Sequence, residues 1–154
     1  MLNLLFPAQI DNRFRGQIAG IWVFGVLVAL KLAIGFNSIF MGRQVAQGAD
    51  GIPLDKFTPE AANEIVSIFA LLGLLHVTMA LLCVIALVRY RAMIPLLLAL
   101  LLIERFARYA IVHFLPGVPP VQSAPGSIMG LILPALMIGG LLLSLWTRKT
   151  VGAE

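Results

Sequence analysis

Lys31, His76, Glu104, Arg105 and Arg108 each interrupt a long apolar stretch, and they are the residues whose types and spacing could do chemistry. Glu104 and Arg108 stand four apart and share one face of a helix, with Arg105 one position round the same stripe. A charge at the centre of a bilayer costs about 2.5–3.5 kcal/mol on the gentlest insertion scale, so such residues need partners. Lys31, Arg105 and Arg108 outnumber the one carboxylate, Glu104, and low-dielectric burial does not permit the excess to stay uncompensated. Four remedies are open: a lysine neutralised by desolvation, an arginine that snorkels outward, a carboxylate from a partner, or an anionic ligand or lipid head group. The set therefore reads either as an ion-paired clamp that fixes helix packing or as a site for an anion, a proton or a solute.

Other chemistries fit less well. His76 and His113 suggest a pair of axial haem ligands, but the helical rise separates them by roughly 13 Å along the membrane normal. A metal would need more than one histidine and one carboxylate at matching depth. Quinone chemistry would use a histidine, a carboxylate and an arginine near mid-membrane, which the set contains, without a motif of fixed spacing to support it. Cys83 is the single cysteine, so no intramolecular disulfide or thiolate cage can form. No phosphate-cradling glycine loop or nucleophile arrangement is present, and the residues identify neither a reaction nor a cofactor.

The elements that must position these residues are membrane spans. Of 154 residues, 60% are hydrophobic and 12% charged, with a mean hydropathy of +1.00. An ordinary soluble domain is about half apolar and about a quarter charged, so a soluble globular protein is excluded. Four apolar runs approach the roughly 20 residues that a helix needs to cross a hydrocarbon core. The expected architecture is all-α, an integral membrane four-helix transmembrane bundle in a single domain over 1–154, with spans at 17–40, 65–88, 92–115 and 127–146 and an outer loop at 41–64. The first span starts too late and runs too long for a cleaved signal peptide. Thr58-Pro59-Glu60 reads as a helix start, with a hydroxyl cap, proline at the first position and carboxylates Glu60 and Glu64 near the positive end of the dipole. Arg89, Tyr90 and Arg91 form a tight basic hairpin, and prolines stiffen the connection at 116–125.

From the assigned span ends, the helical rise puts Lys31 at roughly 21 Å, His76 and Glu104 at roughly 18 Å and Arg108 at roughly 24 Å of depth. Three helices thus carry polar groups at one level. Gly73, His76, Ala80 and Cys83 follow a three-and-four spacing that makes a small-residue face and turns His76 toward a neighbour. Asn37 and His113 read as interfacial. Pro134 and the pair Gly139 and Gly140 could kink the last span or admit a close neighbour. A simple antiparallel bundle places span one beside two and two beside three, and leaves contact between one and three to its closure.

Arg13, Arg15, Arg89, Arg91, Arg148 and Lys149 fall on one side of the spans, against Arg43 and Lys56 on the other. The positive-inside rule then puts both termini in the cytoplasm and the acidic loop outside, with Tyr90 and Trp146 at the inner boundary. The formal charge of +4 is a topology signal here, without a nucleic-acid partner. Ala49-Asp50-Gly51-Ile52-Pro53-Leu54-Asp55, Thr58-Pro59-Glu60-Ala61-Ala62 leading into Ile68-Phe69-Ala70-Leu71-Leu72-Gly73, the stretch 31–40 with Gly35, Asn37 and Ser38, and Pro125-Gly126-Ser127 resemble small bacterial four-span membrane proteins, DoxX-like in architecture. That resemblance implies a bundle in the bacterial inner membrane and brings no catalytic residues. The role expected is an accessory or interaction subunit of a larger membrane complex, with lipid and other membrane subunits or further copies of the chain as partners. The competing expectation is a small carrier or redox component that uses the polar cluster for proton, quinone or solute binding.

Overall fold

The computed structural model describes residues 2–114 and 127–146. The proline-rich connection at 116–125 and the basic tail with Arg148 and Lys149 lie outside the described residues, as does the side chain of His113. Helix makes up 83% of what is described, without strands. The α-helices are α1 (Leu2–Leu5), α2 (Ile18–Phe40), α3 (Gly42–Gly48), α4 (Pro59–Arg89), α5 (Ile94–Phe114) and α6 (Ser127–Leu145). Two of them, α2 and α4, are long and apolar enough to cross a membrane. Helix α5 matches the length but carries Glu104, Arg105 and Arg108 within its 21 residues.

Helix α4 is 31 residues, or about 46 Å, much longer than a hydrocarbon core of about 30 Å. Its start is set by Thr58, whose hydroxyl accepts from the Ala61 amide at 3.3 Å, and by Pro59, whose missing N–H costs nothing in the first turn. Replacing Thr58 by alanine should lower stability by about 1 kcal/mol in a detergent melt, whereas Thr58→Asp should leave it unchanged. The first turns of α4, which the apolar pattern alone assigns to a loop, pack on α3. Ala46, Leu54 and Ala62 form a small second core there, flanked by Ile52, Ile65, Val66 and Phe69. The segment 41–64 is thus a folded cap rather than an open loop. Gly51, at φ +68°, makes the turn that a side chain would strain.

The long helices do not pack in simple sequence order. Helix α4 packs chiefly on α2, α2 also lies along α6, and α5 packs chiefly on α6, so the consecutive pair α4 and α5 approach each other little. The expectation of span two beside span three is therefore corrected: α4 and α5 meet little, and α2 lies along α6 instead. Glycine explains the first of these contacts. A Cβ on Gly73 would lie 2.7 Å from the Gly35 carbonyl oxygen, and one on Gly35 would lie 3.0 Å from that of Gly73, so two glycines let the α2 and α4 backbones touch. Val77, not His76, continues the buried face of α4, with Ala80, Cys83 and Ala86.

At the opposite end from the cap, the N-terminal segment ties the helices together. The Gln17 amide donates to the Leu143 carbonyl at 3.1 Å and the Ala92 amide to that of Asp11 at 3.2 Å. The start of α2, the α4–α5 hairpin and the end of α6 therefore share one end with Arg13, Arg15, Arg89 and Arg91, while Asp50, Asp55, Glu60 and Glu64 lie at the cap end. The main core sits between these ends and draws on every long helix: Phe24, Leu27 and Val28, Cys83, Ile94, Leu98 and Leu101, and Leu133 and Met137.

Candidate functional site

Lys31 extends the buried stripe of α2 one turn beyond Leu27 and Val28, and Glu104 follows Leu101 by three positions on α5. A charged layer thus caps the apolar core on its cap-facing side. The Lys31 ammonium donates to Glu104 Oε2 at 3.3 Å, so α2 and α5 meet at this level. Arg108 donates to the other carboxylate oxygen, Oε1, as an i,i+4 partner on the same helix. Glu104 is held between two cations, as its spacing from Arg108 implied. Burial divides the trio: the Lys31 side chain is 8% exposed, against 38% for Glu104 and 46% for Arg108.

Arg105 has a different task from the one its position on the stripe suggested. Its guanidinium donates to the Gly130 carbonyl of α6 at 3.2 Å. Pro134 is four residues beyond Gly130 and has no N–H, so the helix cannot satisfy that carbonyl itself. Arg105 fills the gap in α6 from α5, and a Cβ on Gly130 would lie 3.3 Å from the guanidinium, so glycine leaves room for the approach. The spacing of Gly130 and Pro134 is visible in the sequence, but which side chain reaches the orphaned carbonyl is not.

His76 is half-buried, and its Nδ1 lies 2.8 Å from the Leu72 carbonyl of its own helix. That contact requires Nδ1 to carry the proton, which leaves Nε2 as an acceptor in the neutral ring. Rather than pointing at a neighbouring helix as expected, the ring turns back along α4. It nevertheless lies within electrostatic reach of Lys31, Glu104 and Arg108. The five candidate residues therefore divide: Lys31 and Arg108 both pair with Glu104, His76 is within electrostatic reach of them, and Arg105 is turned to α6.

A second carboxylate that the spacing did not reveal approaches from the cap. Asp50, in the turn after α3, lies within electrostatic reach of Arg108. Partial burial raises its carboxyl above the usual aspartate range, and the positive charge of Arg108 opposes that rise. No ion pair closes between them among the described residues. The sequence distance from 50 to 108 conceals this approach, since only packing of α3 on α4 brings the cap over the bundle. Among the described residues no group of His, Cys, Asp and Glu side chains could hold a metal ion.

Beyond Leu101, α5 leaves the core. Ile103, Phe106, Tyr109 and Ile111 are all more than half exposed, and nothing among the described side chains from 102 to 111 is fully buried. The polar layer is thus placed where the packed half of α5 gives way to an open half. The chain matches no family model, no curated protein and no solved structure.

Proposed function

We propose that the protein is a four-span integral membrane protein, in the bacterial inner membrane with both termini inside, and that it serves as an accessory component holding an anionic group at Lys31, Glu104 and Arg108. One observation carries this reading. The ionic layer is seated on a complete apolar core, yet Arg108 and Glu104 remain more than a third exposed at a depth where hydrocarbon would surround them. A clamp meant only for packing gains nothing from leaving its charges half open, because exposure to lipid forfeits the low-energy state of both ions. The lengths of α5 and α6, about 31 and 28 Å at 21 and 19 residues, support spanning by these helices as well as α2 and α4. The excess of basic residues at the hairpin end, Arg13, Arg15, Arg89 and Arg91 against Arg43 and Lys56 at the cap end, supports the orientation, and the DoxX-like resemblance points to the same architecture.

The test is purification from the native membrane in mild detergent, followed by mass spectrometry of everything that accompanies the chain. Wild-type protein should carry an anionic component in a fixed ratio, and Arg108→Gln should release it while remaining folded. Identical accompanying material in both proteins would contradict the reading.

A further inference from the structure

The hydrogen-bond inventory of the ionic layer leaves donors in excess. Lys31 has three N–H donors, and among the described residues Glu104 Oε2 is the acceptor for one of them. Arg108 has five, of which one is directed to Glu104 Oε1. Lys31 is more than nine-tenths buried, so water from the bulk is a poor source of the missing acceptors. His76 lies within electrostatic reach of all three members of the layer. Two cations face one carboxylate in contact, and Asp50, which lies within electrostatic reach of Arg108, closes no ion pair with it among the described residues. The unmet requirement is for oxygen acceptors carrying negative charge.

The surroundings specify what must carry those oxygens. Leu100 and Ile103, on the turn of α5 before Glu104, are 45% and 63% exposed. With the chain placed in the membrane as proposed above, a soluble anion would have to leave water to reach the buried Lys31, whereas a head group attached to a hydrocarbon chain arrives with its chain already in the apolar phase. We propose that the ionic layer binds the oxyanion head group of a single-chain membrane amphiphile, with Lys31 and Arg108 as its cationic contacts and its chain along Leu100 and Ile103. This inference rests on the anion-holding reading above and adds the ligand class. Carboxylate and phosphate monoester share the chemistry required, namely several acceptor oxygens and a negative charge placed between two cations.

The experiment uses the full chain in dodecyl maltoside micelles, titrated with oleate, oleoyl lysophosphatidic acid, uncharged monoolein, acetate and inorganic phosphate, and read by native mass spectrometry. One oleate or one lysophosphatidic acid should bind per chain. Lys31→Met and Arg108→Gln should each weaken that binding at least about tenfold, a change equivalent to about 1.4 kcal/mol. Arg91→Gln, at the hairpin, should bind as the wild type does. Should one cluster variant fail to fold, the other still decides the matter. Monoolein binding as tightly as oleate would overturn the oxyanion assignment, and acetate or phosphate binding as tightly would overturn the requirement for a chain. Failure of both charged amphiphiles to bind, while Arg108→Gln still releases a component in the native purification, would overturn this inference and leave the broader reading standing.

Discussion

Glu104→Ala should be the most damaging single substitution in the ionic layer, costing about 2–3 kcal/mol, less than the loss of a partner in a fully buried ion pair because Glu104 is itself 38% exposed. Lys31 is the reason. Its side chain is 8% exposed and Glu104 is its hydrogen-bond acceptor among the described residues, so the change strands an ammonium within the bundle. The reverse substitution is different in kind. Lys31→Met leaves Glu104 paired with Arg108 on its own helix and replaces a buried charge by an apolar chain of similar length, so stability should hold or rise. Combining the two should recover most of the loss from Glu104→Ala, since the stranded charge is gone. Detergent melts of the wild type, both single variants and the double variant form a cycle that reads the coupling directly. A Lys31→Met protein as unstable as Glu104→Ala would show that the lysine contributes more to the fold than its burial implies.

The second large effect is expected at Arg105 and depends on a residue in another helix. Arg105→Met should cost about 2–3 kcal/mol, the upper part of the range for hydrogen bonds from a charged donor, because it exposes the Gly130 carbonyl that Pro134 cannot satisfy. In a Pro134→Ala background the helix can close its own i,i+4 bond to that carbonyl, and Arg105→Met should then cost less than 1 kcal/mol. Equal losses in the two backgrounds would separate Arg105 from the proline.

These two cases show which parts of the site the sequence makes legible. Glu104 and Arg108 could be paired from spacing alone, since residues four apart on a helix meet wherever the helix lies. That Lys31 is at the same level follows from span lengths and rise. Its contact with Glu104 depends on helix order, which periodicity does not encode, and the structure departs from sequential packing because Gly35 and Gly73 bring α2 and α4 together while α5 turns to α6. Position on the helix stripe groups Arg105 with Glu104 and Arg108, although the orphaned carbonyl made by Pro134 gives a local reason to look for a donor. The capped start at Thr58 was legible from chemistry at the first turn, whereas the cap over 41–64 was not. Its core needs only Ala46, Leu54 and Ala62, too few and too small to stand out from a turn-rich segment. Asp50 was hidden for the same reason, since its approach to Arg108 comes from the folding of that cap.

The central claim is that the ionic layer serves binding and that the fold does not require it. An apolar replacement of all three members, Lys31→Met with Glu104→Leu and Arg108→Leu, separates the two, because a complete ion cluster exchanged for well-packed apolar residues is commonly neutral or stabilising. The decisive measurement is the mass-spectrometric inventory of what this triple variant carries out of the membrane, taken beside its melting temperature. The account predicts a folded protein, at least as stable as the wild type, that emerges without the anionic component. A triple variant that folds and still carries the wild-type complement in the same ratio would contradict it.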